Sequence, residues 1–159
     1  MTSFKSAPFS LYLAASALLW VHTAQAQTAL PAATAPAAAP AAEMAKQAEG
    51  QLAAAGWLSM LDQGNWGGAY EASSQLFRNM VPIGAWMDSI PGVRAPFGAF
   101  ESRTASTVAY KTTLPGRPDG EYVTAIFETR FADKKEVEER VTTVREADGQ
   151  WRVIGYQPR

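Results

Sequence analysis

At Gly98 the spacing of apolar residues changes from that of helices to that of strands, and this restricts the possible folds more than any other feature of the chain. Upstream, Met44, Ala48, Leu52, Ala55 and Leu58 recur at three and four. They predict one apolar stripe on a helix from about Glu43 to Gln63, ended by Gly64, with Asn65 placed to cap the next helix. That second helix is expected from Trp66 to Met80, with Trp66, Tyr70, Phe77 and Val81 close to one face and Gly67-Gly68 weakening its first turn. Pro82 fits the first position of a third helix carrying Ile83, Trp86, Met87 and Ile90, and Pro91-Gly92 is expected to stop it.

Downstream, Phe100 to Thr113 is rich in Thr, Val, Tyr and Ser and reads as a strand. LPGRPDG, Leu114 to Gly120, carries two prolines and two glycines and must leave the sheet. Tyr122 to Phe131 is apolar enough to predict a central strand covered on both faces. Val137 to Glu146 and Gln150 to Gln157 complete the set, joined across Asp148-Gly149, a pair that favours a two-residue type I′ turn. The expected fold class is therefore α+β: three N-terminal helices packed on one face of a curved, cone-like, four-stranded antiparallel sheet.

The N-terminal segment reads differently. Lys5, the apolar run Leu11 to Val21 and the small residues of Ala24-Gln25-Ala26 form the pattern of a secretory signal peptide over residues 1–26. The run is too short to span a membrane, which takes about 20 apolar residues. Residues 27–42, almost all Ala, Pro and Thr and interrupted by Pro31, Pro36 and Pro40, read as a disordered tether. Residues 43–159 then form a single domain, and the expected location is periplasmic or secreted.

Cleavage would take His22, the chain's one histidine, and there is no cysteine. Without either, histidine triads, thiolate nucleophiles and nitrogen- or sulfur-ligated metal sites cannot be built, so no metal and no cofactor is expected. Asp62-Gln63-Gly64-Asn65 lacks the length and the bidentate Glu of a calcium loop and reads better as a helix end. A lipid-anchored form is excluded for want of a cysteine. The formal charge is −1, and the one adjacent basic pair, Lys134-Lys135, lies between Asp133 and Glu136. Phosphate binding needs clustered cations, so nucleic acid is not an expected partner.

Four stretches occur in a recognisable order: WLSMLDQGNW (Trp57 to Trp66), VRAPFG (Val93 to Gly98), LPGRPDGEYVTAIFETRFADKK (Leu114 to Lys135) and DGQWRVIGY (Asp148 to Tyr156). Together they make residues 45 to 157 similar to the bacterial family called domain of unknown function 4019. The resemblance implies a small exported bacterial protein of one domain, with no assigned catalytic residues to carry over. More weakly, the order of helices and strands resembles the nuclear transport factor 2-like and ketosteroid isomerase-like superfamily.

Carboxylates are the remaining candidates for chemistry, since a buried acid with a raised pKa acts as a base without histidine. Asp62, Glu71, Asp88, Glu101 and Glu128 qualify by position, although capping or ion pairing explains Asp62 and Asp88 as well. Arg94 and Arg103 could clamp an anionic ligand, or pair with Asp62, Asp88 or Glu128 and tie helices to sheet. Trp57, Trp66, Trp86 and Trp151, with Tyr110, Tyr122 and Tyr156, could line a cavity, although their helical spacing suits core packing. No catalytic residue is expected. The candidate ligand-binding residues are Arg94, Arg103, Trp57, Trp86, Tyr122 and Tyr156. The expected function is a non-catalytic envelope module for a small ligand or a protein partner, and the alternative is a carboxylate-dependent isomerase or hydrolase acting in a cone-shaped cavity.

Overall fold

A computed structural model describes residues 38–134 and 136–159. The expected signal peptide and tether lie outside these residues, except for the last five positions of the tether, which are helical. The order is α1 (Ala38–Asp62), α2 (Trp66–Glu71), α3 (Gln75–Met80), α4 (Ile83–Arg94), a 3-10 turn (Ala95–Phe97), β1 (Phe100–Lys111), β2 (Tyr122–Phe131), β3 (Val137–Arg145) and β4 (Trp151–Pro158). The strands form one antiparallel meander, β1-β2-β3-β4, so the α+β expectation holds with four helices in place of three.

The expected second helix divides into α2 and α3 because Ser73 and Ser74 serve the sheet instead of the helix. Ser73 bridges to Val153, and the Ser74 amide donates to the Val153 carbonyl at 2.8 Å. The Ser74 hydroxyl then accepts from Phe77 N at 3.0 Å and starts α3, the ordinary work of serine at an N-cap. Asn65 caps α2 as expected, accepting from Gly68 N at 3.0 Å. α4 runs through Pro91 and Gly92 to Arg94, three residues past the expected stop. Pro91 forfeits its own amide bond, but the Ala95 amide still reaches the Pro91 carbonyl.

α1 is described from Ala38 onward, with Pro40 near the start of the described segment. It touches all four strands, but of the predicted stripe only Leu58 is buried, with Ala55 packed against the core. The buried face is Gly50, Ala54, Trp57, Leu58 and Leu61, whereas Met44 and Leu52 face outward, 68% and 74% exposed. Gly50 sets this rotation. A Cβ there would lie 2.5 Å from Val123 Cβ and 2.9 Å from Thr143 Oγ1, so only glycine lets the helix rest on β2 and β3. Gly50→Ala is expected to cost about 1–3 kcal/mol through overpacking, despite alanine's advantage of up to ~1 kcal/mol as a helix former. A urea melt checks this.

Side chains alternate along β2: Val123, Ala125, Phe127, Thr129 and Phe131 are buried under the helices, whereas Thr124 and Ile126 are half-buried and Glu128 and Arg130 exposed. β2 is thus flanked by β1 and β3 and covered along one face, whereas on the other only Tyr122, at its start, is buried, so the expected cover on both faces is confined to that end. Bulges in β1, near Phe100 and Ser106, and at Ile154 in β4 bend the sheet. The β3–β4 turn is not the two-residue type I′. Glu146 N donates to Gln150 O at 2.9 Å and Gly149 N to Glu146 O at 2.8 Å, so Ala147, Asp148 and Gly149 all sit in the loop, Gly149 at φ 80°. This is the three-residue hairpin in which a glycine takes the left-handed position.

At one end of the sheet Lys46 of α1 pairs with Glu121, which also accepts from Tyr110 OH at 2.9 Å and Arg145 Nη1 at 3.2 Å. The Lys46 hydrogen bond, backed by Tyr110 and Arg145, holds Glu121 at about 2, below the ordinary 4.5. A lowered folded pKa adds stability that is fully present above 4.5 and is lost as pH falls toward about 2. Glu121→Gln is expected to flatten the pH dependence of the denaturation midpoint across that window.

Candidate functional site

The two arginines singled out from the sequence meet in one cluster. The C-terminus of α4 delivers Arg94, β1 delivers Arg103, the end of α1 delivers Asp62, and the inward face of β3 delivers Glu139. Arg94 donates to Asp62 Oδ1 and to Glu139 Oε1. Arg103 donates from Nη1 to Asp62 Oδ2 at 2.7 Å and from Nη2 to Glu139 Oε2 at 2.7 Å. Thr129 Oγ1 donates to Glu139 Oε2 at 2.6 Å, Tyr156 OH donates to Glu139 Oε1 at 2.7 Å, and Tyr156 OH accepts from Arg94 Nη1 at 2.9 Å. All four ionised side chains are nearly or wholly enclosed, and the Glu139 side chain is 0% exposed.

Two cations face two anions, so the cluster is neutral as a unit, and each carboxylate bridges both guanidiniums. Enclosing such charges is costly unless every lone pair and proton finds a partner, and here the carboxylates are nearly saturated. Phe97 and Phe131 stack on the Arg94 guanidinium, centroids 5.6 and 4.9 Å away, and Phe100 stacks on Arg103 at 4.8 Å. Burial pulls against the charge on both arginines, but their acidic and phenolic partners outweigh it and raise both pKa values. Burial, with the Glu139 carboxylate behind it, pushes the Tyr156 phenol well above its ordinary range, so that side chain remains a neutral donor.

Of the carboxylates expected as partners only Asp62 takes part. Asp88 and Glu128 point to solvent, and Glu139 replaces them because it stands between Val137 and Val141 on the buried side of β3. That alternation, Val-x-Glu-x-Val, was the available signal for an inward acid. Glu71, Asp88, Glu101 and Glu128 are exposed, and Asp62 is held by two arginines, so none of the five candidate bases is both shielded and unpaired.

The remaining ligand-binding candidates lie in the core. Trp57 packs 5.8 Å from Trp86 and 5.4 Å from Tyr156, and its Nε1 donates to Ala69 O at 2.7 Å and Ser73 Oγ at 3.0 Å. Trp86 Nε1 donates to Trp66 O at 2.9 Å, and Tyr122 OH to Pro118 O at 2.6 Å. Arg94 and Asp62 border a surface cleft of about 520 Å³ with Trp66 and Phe100, and Tyr122 borders another of about 520 Å³ beneath the β1–β2 loop.

The face of the sheet away from the helices is polar. Glu128 and Glu138 are direct cross-strand neighbours there, as are Ile126 and Arg140, and Thr124 and Thr142. Like charges placed opposite each other are unfavourable in an isolated sheet. Glu138 Oε1 and Arg140 Nε have no hydrogen-bond partner among the described residues, although Arg140 Nη2 forms a 3.8 Å ion pair with Glu138 Oε1. Two hollows lie on this face, about 400 Å³ around Glu128, Glu136 and Glu138 and about 300 Å³ around Lys111 and Arg140.

Comparison with curated proteins brings no match. The family model described as "Protein of unknown function (DUF4019)" matches residues 53–156, from the middle of α1 to Tyr156 in β4. That span contains every member of the buried cluster and the whole meander as far as Tyr156, and by it the chain belongs to the DUF4019 family.

Proposed function

We propose that the domain is a non-catalytic binding module, exported to the cell envelope, which takes a small ligand or a protein partner on the open face of its sheet. One observation carries the reading: the four enclosed ions beneath the sheet are tied by hydrogen bonds, whereas Glu138 Oε1 and Arg140 Nε, whose side chains meet only in a 3.8 Å ion pair, make no hydrogen bond among the described residues, and both belong to the open face. A donor or acceptor that lacks a hydrogen bond in the free protein gains one when a bound molecule supplies the partner. Catalysis by a carboxylate would need an acid free of arginine and screened from water, and the expected bases are each paired or exposed. The signal-peptide pattern supports export.

Fractionation of the native cell followed by native mass spectrometry tests the reading. Recovery with the envelope or the medium, carrying a bound mass or partner that Arg140→Gln releases, is expected. Recovery in the cytosol with no bound species overturns it.

A further inference from the structure

We infer that the hollow between Lys111 and Arg140 is a binding site for a small carboxylate with a short apolar body, an assignment that rests on the open face being the binding surface. The hollow, about 300 Å³, lies over β1, β2 and β3, and the β1–β2 loop closes one side through Leu114. Its lining contains two cations and no acid, whereas the neighbouring hollow has three glutamates against one cation, Arg130. Lys111 makes no ion pair among the described residues.

Arg140 is poised but not anchored. Its 3.8 Å approach to Glu138 is too long for a hydrogen bond, and its Nε–H has no acceptor. A turn of the side chain offers Nε–H and an Nη–H side by side, the fork that a planar carboxylate accepts in two parallel bonds. Thr124 and Thr142 add to this. Their hydroxyls lie 3.2 Å apart, so one donates to the other and the acceptor's own proton is free for a ligand oxygen. Ile126 and Leu114 supply apolar wall, which suits a short hydrocarbon body and not a bare inorganic anion. Glu128 and Glu138 lie one cross-strand row further along, roughly 6–7 Å at strand spacing, and repel an anion from that end, so the head group is confined to the Lys111 side.

The test is an NMR titration of the full chain with hexanoate, hexyl phosphate, hexanol and hexylamine, reading the Arg140 Nε–Hε signal and the amides of Thr124, Ile126 and Thr142. Hexanoate is expected to move these signals to saturation and hexanol to leave them in place. Arg140→Gln and Lys111→Gln are each expected to weaken hexanoate by about tenfold, whereas Arg130→Gln, at the other end of the face, keeps its affinity. Equal shifts with hexanol, or tighter binding of hexyl phosphate than of hexanoate, overturn the carboxylate assignment. Hexylamine binding around Glu128 and Glu138 in place of hexanoate overturns it too, but leaves the open face as a binding surface. Hexanoate shifts confined to the helical side overturn both readings.

Discussion

Glu139→Gln is expected to destabilise the domain by about 3–5 kcal/mol, because removing one member of a buried ion cluster strands the charges that faced it. Five donors converge on this carboxylate: Arg94 Nη1 and Tyr156 OH on Oε1, and Arg103 Nε, Arg103 Nη2 and Thr129 Oγ1 on Oε2. Glutamine keeps the shape but places an amide NH2 against donors and leaves two guanidiniums sharing Asp62. For a domain of this size the melting temperature should fall by on the order of 10 °C or more. Thermal unfolding followed by circular dichroism measures it, and a shift of a degree or two would mean that the cluster is not formed as described.

Trp57→Ala has the second largest expected effect, about 3–5 kcal/mol for truncating a large aromatic in a packed core. Trp57 joins α1 to α4 through Trp86, to β4 through Tyr156, and to α2 through its hydrogen bond to Ala69 O. Trp57→Phe separates the two contributions. With phenylalanine the Ala69 carbonyl keeps its bond from Ser73 Oγ at 2.8 Å, and the buried Ser73 hydroxyl loses the indole donor but keeps that bond, so the variant should lose about 1–2 kcal/mol. Chemical denaturation of the two variants side by side gives the comparison.

Much of the architecture is written in local patterns, and the departures have identifiable causes. Asn65, Ser74 and Gly149 act through their own backbone neighbourhood, and such signals can be read without knowledge of the fold. The rotation of α1 cannot, because two stripes fit its periodicity and the choice falls to Gly50, whose role appears only when Val123 and Thr143 come against it. The break between α2 and α3 likewise depends on Val153, about eighty positions away in the chain, which draws Ser73 and Ser74 out of the helix. Arg94 and Arg103 were legible as a pair seeking carboxylates. Glu139 was legible only as the odd member of the Val137 and Val141 face, a signal easily taken for a surface acid. The open-face residues Lys111 and Arg140 carry no motif at all. Their significance lies in cross-strand register, which no single strand encodes.

The four ions act as one structural unit, and a double-mutant cycle between Arg103 and Glu139 tests this most directly. Arg103→Met and Glu139→Gln each leave the cluster with an uncompensated charge, whereas the double variant is again neutral around Arg94 and Asp62. The unfolding free energy of the double variant is predicted to fall short of the summed single losses by about 2 kcal/mol or more, and losses that add to within about 0.5 kcal/mol would contradict it.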